Sequence, residues 1–287
     1  MRVVRPAART REPTPSAQRD RAGGSGPELL LDHVTVGYGT QPAVLHDLVL
    51  EARPGEVTGL IGPNGAGKTT VIRVASRALR PWKGGVFIGG KDPYAMSARR
   101  AARAVSVVPQ EIPWTFSYSA LEMVLMGRAP YHSPWGGSTM DDWDAVRRAM
   151  AATGATHLHD RPFEELSGGE RQAVILAQAL AQDAPVLLLD EPTTHLDLRH
   201  VVDILAIVRS MARSEGKTVL AIFHDLNLAS AYCDRIHALF GGSVAAVGTP
   251  GEVITGKTLR EIFGIDADVI SSGSPGRPAV VMRPPPD

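Results

Sequence analysis

The run Gly62-Pro63-Asn64-Gly65-Ala66-Gly67-Lys68-Thr69, followed by Thr70, has the spacing G-x-x-x-x-G-K-[ST]. It follows a run, Val57 to Ile61, that reads as a strand, and it precedes a helical stretch from about Gly67 to Ala78. Glycines at these places let the backbone bend and bring its N–H groups onto phosphate oxygens, while the helix points its positive N-terminus at them. On this reading Lys68 reaches the β- and γ-phosphates and the Thr69 hydroxyl ligates Mg²⁺. The plain alternative is a glycine-rich turn with a chance lysine. The motif points to a nucleotide and to little more.

Val186-Leu187-Leu188-Leu189 runs into Asp190 and Glu191. A wholly apolar run fits a strand buried on both faces. In a parallel sheet, ligands sit at the carboxyl ends of the strands, which places Asp190 beside the phosphate loop as a holder of Mg²⁺, directly or through water. Glu191 is then positioned to orient and deprotonate an attacking water. Two acids that merely cap a turn are the alternative.

Leu166-Ser167-Gly168-Gly169-Glu170 opens a helix from Ser167 to Gln182. S-x-x-E is a capping box, which helix starts use with no chemistry. The two glycines weaken a helix start but leave backbone N–H groups bare, which makes an anion site. Both readings hold together, with Ser167 as cap and phosphate ligand.

These residues need a frame. Leu29, Leu31, His33 and Thr35 alternate with Leu30, Asp32, Val34 and Val36 as an opening strand, ended by Gly37-Tyr38-Gly39. Val105 to Val108 and Val219 to Phe223 read as further strands, and Asp141 to Thr153 as a helix. Leu198, Val201, Val202, Leu205 and Val208 make a helical stripe closed by Gly216. Alternating buried strands and helices predict a parallel α/β sheet. Residues 1–27 are rich in Arg, Pro, Ala, Ser and Gly and read as a disordered tail; 271–287 read as a Pro-rich tail with one short strand, Ala279 to Met282.

The formal net charge of zero gives no sign of a nucleic-acid partner. The single cysteine, Cys233, excludes an internal disulfide framework and fits a reducing compartment. Nothing in the chain reaches the eighteen or so apolar residues of a membrane-spanning helix, so service to a membrane would come from the water side, through a partner. His157 and His159 read as surface loop, since two histidines lack further ligands at metal-site spacing.

Taken with GPNGAGKTT and LLLDEPTTHLD, the Leu166–Glu170 run resembles the ATPase subunits of ABC transporters, over about Glu28 to Ile270. The resemblance implies a P-loop NTPase core with a parallel sheet, an N-terminal antiparallel β subdomain and an α-helical insertion at about 94–165. Tyr38 matches the aromatic that stacks on adenine. Gln110 in SVVPQ matches the Q-loop glutamine and joins Thr69 and Asp190 as a Mg²⁺ contact. His195-Leu196-Asp197 matches the D-loop, and His224 in IFHDLNLA the switch histidine. Also implied are a head-to-tail pair with two ATP molecules between the chains, two transmembrane permease subunits, an indirect link to a substrate-binding protein, and a place on the cytoplasmic face of the membrane. Glu191, His224, Gln110 and Lys68 are the catalytic set. The segment between Gln110 and Ser167 would meet the permeases. Within it, V-L-M-G-R-A-P, together with TTHLDLRH, resembles importers of ferric siderophores, haem and cobalamin, ranked in that order. An exporter ATPase or a non-transport ABC ATPase is the alternative. Ala173 and Gln178 depart from the arginines that many relatives carry.

Overall fold

The computed structural model describes residues 26–110, 117–132, 137–194 and 196–282. The expected N-terminal tail lies outside them except for its last two residues, and so does His195.

Among the described residues, the chain opens with strands β1 (Leu29–Gly37) and β2 (Ala43–Ala52), which pair antiparallel. The alternation in β1 predicts Leu29, Leu31, His33 and Thr35 on one face. The buried residues are instead Leu29, Leu31, Val34 and Val36. The phase slips at His33, whose φ is 50°, opposite Asp47 at 49°. An extra residue in the ladder is a β-bulge, and it moves every later side chain to the other face. The His33 Nδ1–Asp47 Oδ1 contact at 2.8 Å closes over the bulge.

β3 (Val57–Ile61) is buried at every residue and leads into α1 (Lys68–Ala75). β4 (Lys83–Ile88) returns to pair antiparallel with β1, giving a separate sheet in the order β2-β1-β4. Then come α2 (Ala98–Ala102), β5 (Val105–Val108), α3 (Ala120–Met126), α4 (Met140–Ala152), α5 (Gly168–Ala181) and β6 (Val186–Leu189). α6 (Leu198–Glu215), β7 (Thr218–Ile222), α7 (Leu226–Tyr232), β8 (Arg235–Phe240) and β9 (Ser243–Gly248) complete the second sheet, ordered β5-β6-β7-β3-β8-β9. Its strands are parallel except for β9. The carboxyl ends of β3, β5, β6 and β7 therefore lie along one edge, where they deliver the phosphate loop, Gln110, Asp190–Glu191 and His224.

Three expectations change. The insertion at 94–165 contains β5, an edge strand of the core sheet paired with β6. Beyond α2, its helices α3 and α4 pack on α5. In α6 the buried stripe is Val201, Ile204, Leu205, Val208 and Ala212, while Leu198 and Val202 are 75% and 45% exposed. Leu198 occupies the open first position of the helix, and Val202 is turned about 100° from Val201 off the stripe. The chain after Ile270 is no tail as far as Met282. β10 (Ala267–Ser271) and β11 (Pro278–Met282) form a hairpin that buries Val280. Asn227 of α7 pins it, donating to the Val280 carbonyl at 3.2 Å and accepting its N–H at 2.7 Å.

The G-R pair of V-L-M-G-R-A-P faces inward. A Cβ on Gly127 would lie 2.2 Å from the Gln178 carbonyl, so glycine is required where α3 ends against α5. Arg128 is buried, donating to Asp142 Oδ1 at 2.8 Å and to the Ala181 carbonyl at 2.9 Å. Its guanidinium also lies 3.8 Å from the centre of the Tyr131 ring. This stretch ties α3, α4 and α5 together.

Candidate active site

The phosphate loop curls because its glycines permit it. Gly62 has φ of 152°, and a Cβ there would lie 2.4 Å from the Leu239 carbonyl. Gly67, at φ 99°, turns the chain into α1. Lys68 is buried within the curl, its ammonium donating to the Gly62 and Pro63 carbonyls at 2.8 and 3.1 Å. Burial lowers its pKa, while the charges of Glu191 and Asp190 act the other way.

The two acids sit in different surroundings. Asp190 is buried and receives the Thr69 hydroxyl at 3.4 Å. Burial and then the charge of Glu191 raise its carboxyl above the usual range, against Thr69, Arg73 and Lys68. Glu191 has φ of 53° immediately before Pro192. A non-glycine residue in this region costs about 1–3 kcal/mol and persists where the surroundings hold it. They do: Gln110 donates to Oε2 at 2.8 Å, Thr194 approaches the same oxygen at 3.4 Å, and His224 Nε2 lies 2.5 Å from Oε1.

A hard divalent cation suits this corner. The Thr69 hydroxyl, the Asp190 carboxylate and the carbonyl oxygen of Gln110 are oxygen donors of the kind Mg²⁺ takes, beside phosphate oxygens. The raised Asp190 carboxyl is one that a cation would relieve.

Tyr38 is joined to the loop at its hydroxyl, 3.1 Å from Thr70 Oγ1 and 3.2 Å from Arg73. Arg73 also lies 5.6 Å from the ring centre. Thr70, Arg73 and Tyr38 thus make one wall beside the glycines.

Ser167, Gly169 and Asp197 gather in a second group. Ser167 caps α5 in a reciprocal box with Glu170: Ser167 N–H donates to the Glu170 carboxylate at 2.8 Å, and Glu170 N–H donates to Ser167 Oγ at 3.4 Å. Ser167 and Gly168 are exposed and Gly169 is buried. No partner meets the Gly168 and Gly169 N–H groups among the described residues, so they stay open to an anion. Asp197 caps α6, accepting His200 N–H at 2.9 Å. The segment 191–197 joins the two groups.

Three contributors do not stand out in the chain. Arg73 is a single turn beyond Thr69 and Thr70, and its spacing was the available signal. Thr194 and His200 lie within TTHLDLRH, where Asp197 and His200 have the i, i+3 spacing of a helix cap.

The family model described as "ABC transporter" matches residues 45–194. The chain belongs to the ABC transporter family. It is 37% identical over 250 residues to the iron(3+)-hydroxamate import ATP-binding protein FhuC of Bacillus subtilis, covering 87% of this chain and 93% of that one. It is 43% identical over 244 residues to the cobalamin import ATP-binding protein BtuD of Halobacterium salinarum. That match takes in 85% of this chain but spans only 60% of the halobacterial protein's length. Among solved structures, one described as a putative metal-chelate type ABC transporter in an inward-facing conformation superposes with a TM-score of 0.77 at 25% identity, over 89% of this chain and 96% of that one. The fold is thus that of an ABC transporter's ATPase. Among the described residues, no helix is long and apolar enough to cross a membrane.

Proposed function

We propose that this chain is the ATP-hydrolysing subunit of an ABC importer, powering uptake of an iron complex through a membrane permease. Ferric siderophore ranks first as cargo, then haem, then cobalamin. One observation carries the hydrolytic part: Glu191, held by both Gln110 and His224, stands at the strand-end edge that also delivers Lys68, Thr69 and Asp190.

The chemistry follows from these positions. Lys68 binds the β- and γ-phosphates from within the loop, and the loop's N–H groups share their charge. Thr69, Asp190 and Gln110 hold Mg²⁺, which when bound neutralises phosphate charge. Glu191 orients a water and takes its proton as the water attacks the γ-phosphorus and the bond from that phosphorus to the β-phosphate oxygen breaks, leaving ADP and phosphate. His224, already against Glu191, holds the γ-phosphate side of the same site. Tyr38 offers the adenine a ring face.

A second copy, packed head to tail, completes each site. The open Gly168 and Gly169 N–H groups, with Ser167, need an anion that their own chain does not bring to them, and the γ-phosphate of a partner's ATP supplies it. Leu198 and Val202, exposed beside Asp197, suit such a contact. ATP then closes the pair and hydrolysis opens it. On this account the segment between Gln110 and Ser167 meets the permeases. In this reading the pair works on the cytoplasmic face of the membrane, bound to two permease subunits, and the substrate-binding protein acts through them.

The test is uptake by intact cells of labelled ferric siderophore, haem and cobalamin, comparing the native chain with Lys68→Ala. Loss of one cargo alone identifies it. Unchanged uptake of all three, with redundant systems deleted, contradicts the importer reading and leaves the exporter or non-transport ATPase.

A further inference from the structure

Gly169 has no room for a side chain. A Cβ there would lie 2.6 to 2.7 Å from three ring atoms of His200, including Nε2. The other edge of that ring is held, because Nδ1 lies 2.8 Å from Asp197 Oδ1. The same carboxylate oxygen accepts the His200 backbone N–H at 2.9 Å. One imidazole therefore touches both the first turn of α5 and the residue that caps α6.

Capping alone does not explain the ring. An N-cap carboxylate needs only a backbone N–H, which any residue at position 200 would supply. Nor does packing of α6 explain it, since His200 lies off the buried stripe and its side chain is 41% exposed. What the imidazole adds is a bridge. It links Asp197 to Gly169, which carries one of the two open N–H groups of the α5 start. Asp197 lies six residues beyond Glu191 in the chain, and Thr194 approaches the Glu191 carboxylate at 3.4 Å. Two sets of contacts flank the segment 191–197: Thr194 on Glu191, and Asp197 through His200 on Gly169.

We propose that His200 is a positioning residue that couples Asp197 to the Gly168–Gly169 turn and so sets the aim of that turn toward a partner's nucleotide. This rests on the two-chain ATPase reading above. The ring does not touch the nucleotide in this account. Its effect falls on turnover by the closed pair, and binding of ATP at Lys68 is left as it was.

Two substitutions separate the halves of the bridge. His200→Asn keeps a donor for Asp197 and removes the ring edge from Gly169. His200→Phe keeps a ring against Gly169 and removes the bond to Asp197. The measurements are kcat for ATP, the ATP Kd by equilibrium dialysis and the Tm, all on the purified full-length chain, with Glu191→Gln as control. The expected result is a fall of about tenfold in kcat for both variants, the size that a small misplacement of a site produces, with Kd and Tm near native. The proposal is overturned if either variant keeps kcat within about threefold of native. It is equally overturned if kcat falls only together with ATP affinity and Tm, since that marks a purely structural role. Normal turnover by Glu191→Gln would show a different failure, that of the hydrolytic reading itself.

Discussion

His224 Nε2 lies 2.5 Å from Glu191 Oε1, while Gln110 Nε2 holds Oε2 of the same carboxylate at 2.8 Å. The two contacts come from the ends of different strands, β7 and β5, on either side of β6, which carries the glutamate. Three neighbouring parallel strands thus converge on one carboxylate, and its left-handed backbone is held by that convergence. A base fixed from both sides can hold one water in a set direction.

Lys68 is the main positive charge inside the phosphate loop. Its ammonium makes charge-assisted hydrogen bonds, each worth about 1.5–3 kcal/mol when made to phosphate. Lys68→Ala is expected to weaken ATP binding by about 10- to 100-fold, measured by equilibrium dialysis. An unchanged Kd would remove Lys68 from the phosphate site.

Arg128 and Asp142 form a buried pair, their side chains 9% and 3% exposed. Burial alone would raise the Asp142 carboxyl, but bonds from Thr139 and Arg128 hold it below the usual carboxylate range. Arg128→Ala leaves that charge short of a partner and frees the Ala181 carbonyl. The expected loss is about 3–5 kcal/mol in urea unfolding. A loss below about 1 kcal/mol would show that Thr139 and His132 suffice for Asp142.

His237 on β8 is buried, with Nε2 3.2 Å from the Glu51 carbonyl. Burial, and then the charge of Arg235, push its pKa from 6.5 down to about 4. Between those values the unfolded chain binds more protons than the folded one, so stability falls as pH drops through that window. The native chain is expected to lose about 2 kcal/mol more than His237→Gln between pH 7 and pH 4.5, read from urea unfolding at each pH. Equal losses would contradict a neutral His237 in the fold.

The site was legible wherever its residues are neighbours in sequence. Gly62 to Thr70, Asp190–Glu191 and Ser167–Glu170 each carry their chemistry within one turn or strand end, and the structure places the first two at one edge of the sheet. The wholly apolar strand Val186–Leu189 was equally plain, because burial on both faces leaves no polar position. What could not be read depends on contacts between distant segments. The bulge at His33 arises opposite Asp47. Gly127 is set by a carbonyl of α5, and Gly169 by a ring on α6. In V-L-M-G-R-A-P, the Gly-Arg pair is internal, and only the fold shows that Arg128 points at Asp142 and Ala181.

The central claim is that Glu191 is the base for hydrolysis in a pair of chains closed by ATP. The most direct test is phosphate release by native and Glu191→Gln chains in parallel, with the oligomeric state of each followed by light scattering in ATP. The account predicts that Glu191→Gln binds ATP, accumulates as a dimer and releases phosphate at least about 100-fold more slowly, in keeping with the loss of a general base. Native-rate phosphate release by Glu191→Gln, or a variant that stays monomeric with ATP bound, would contradict it.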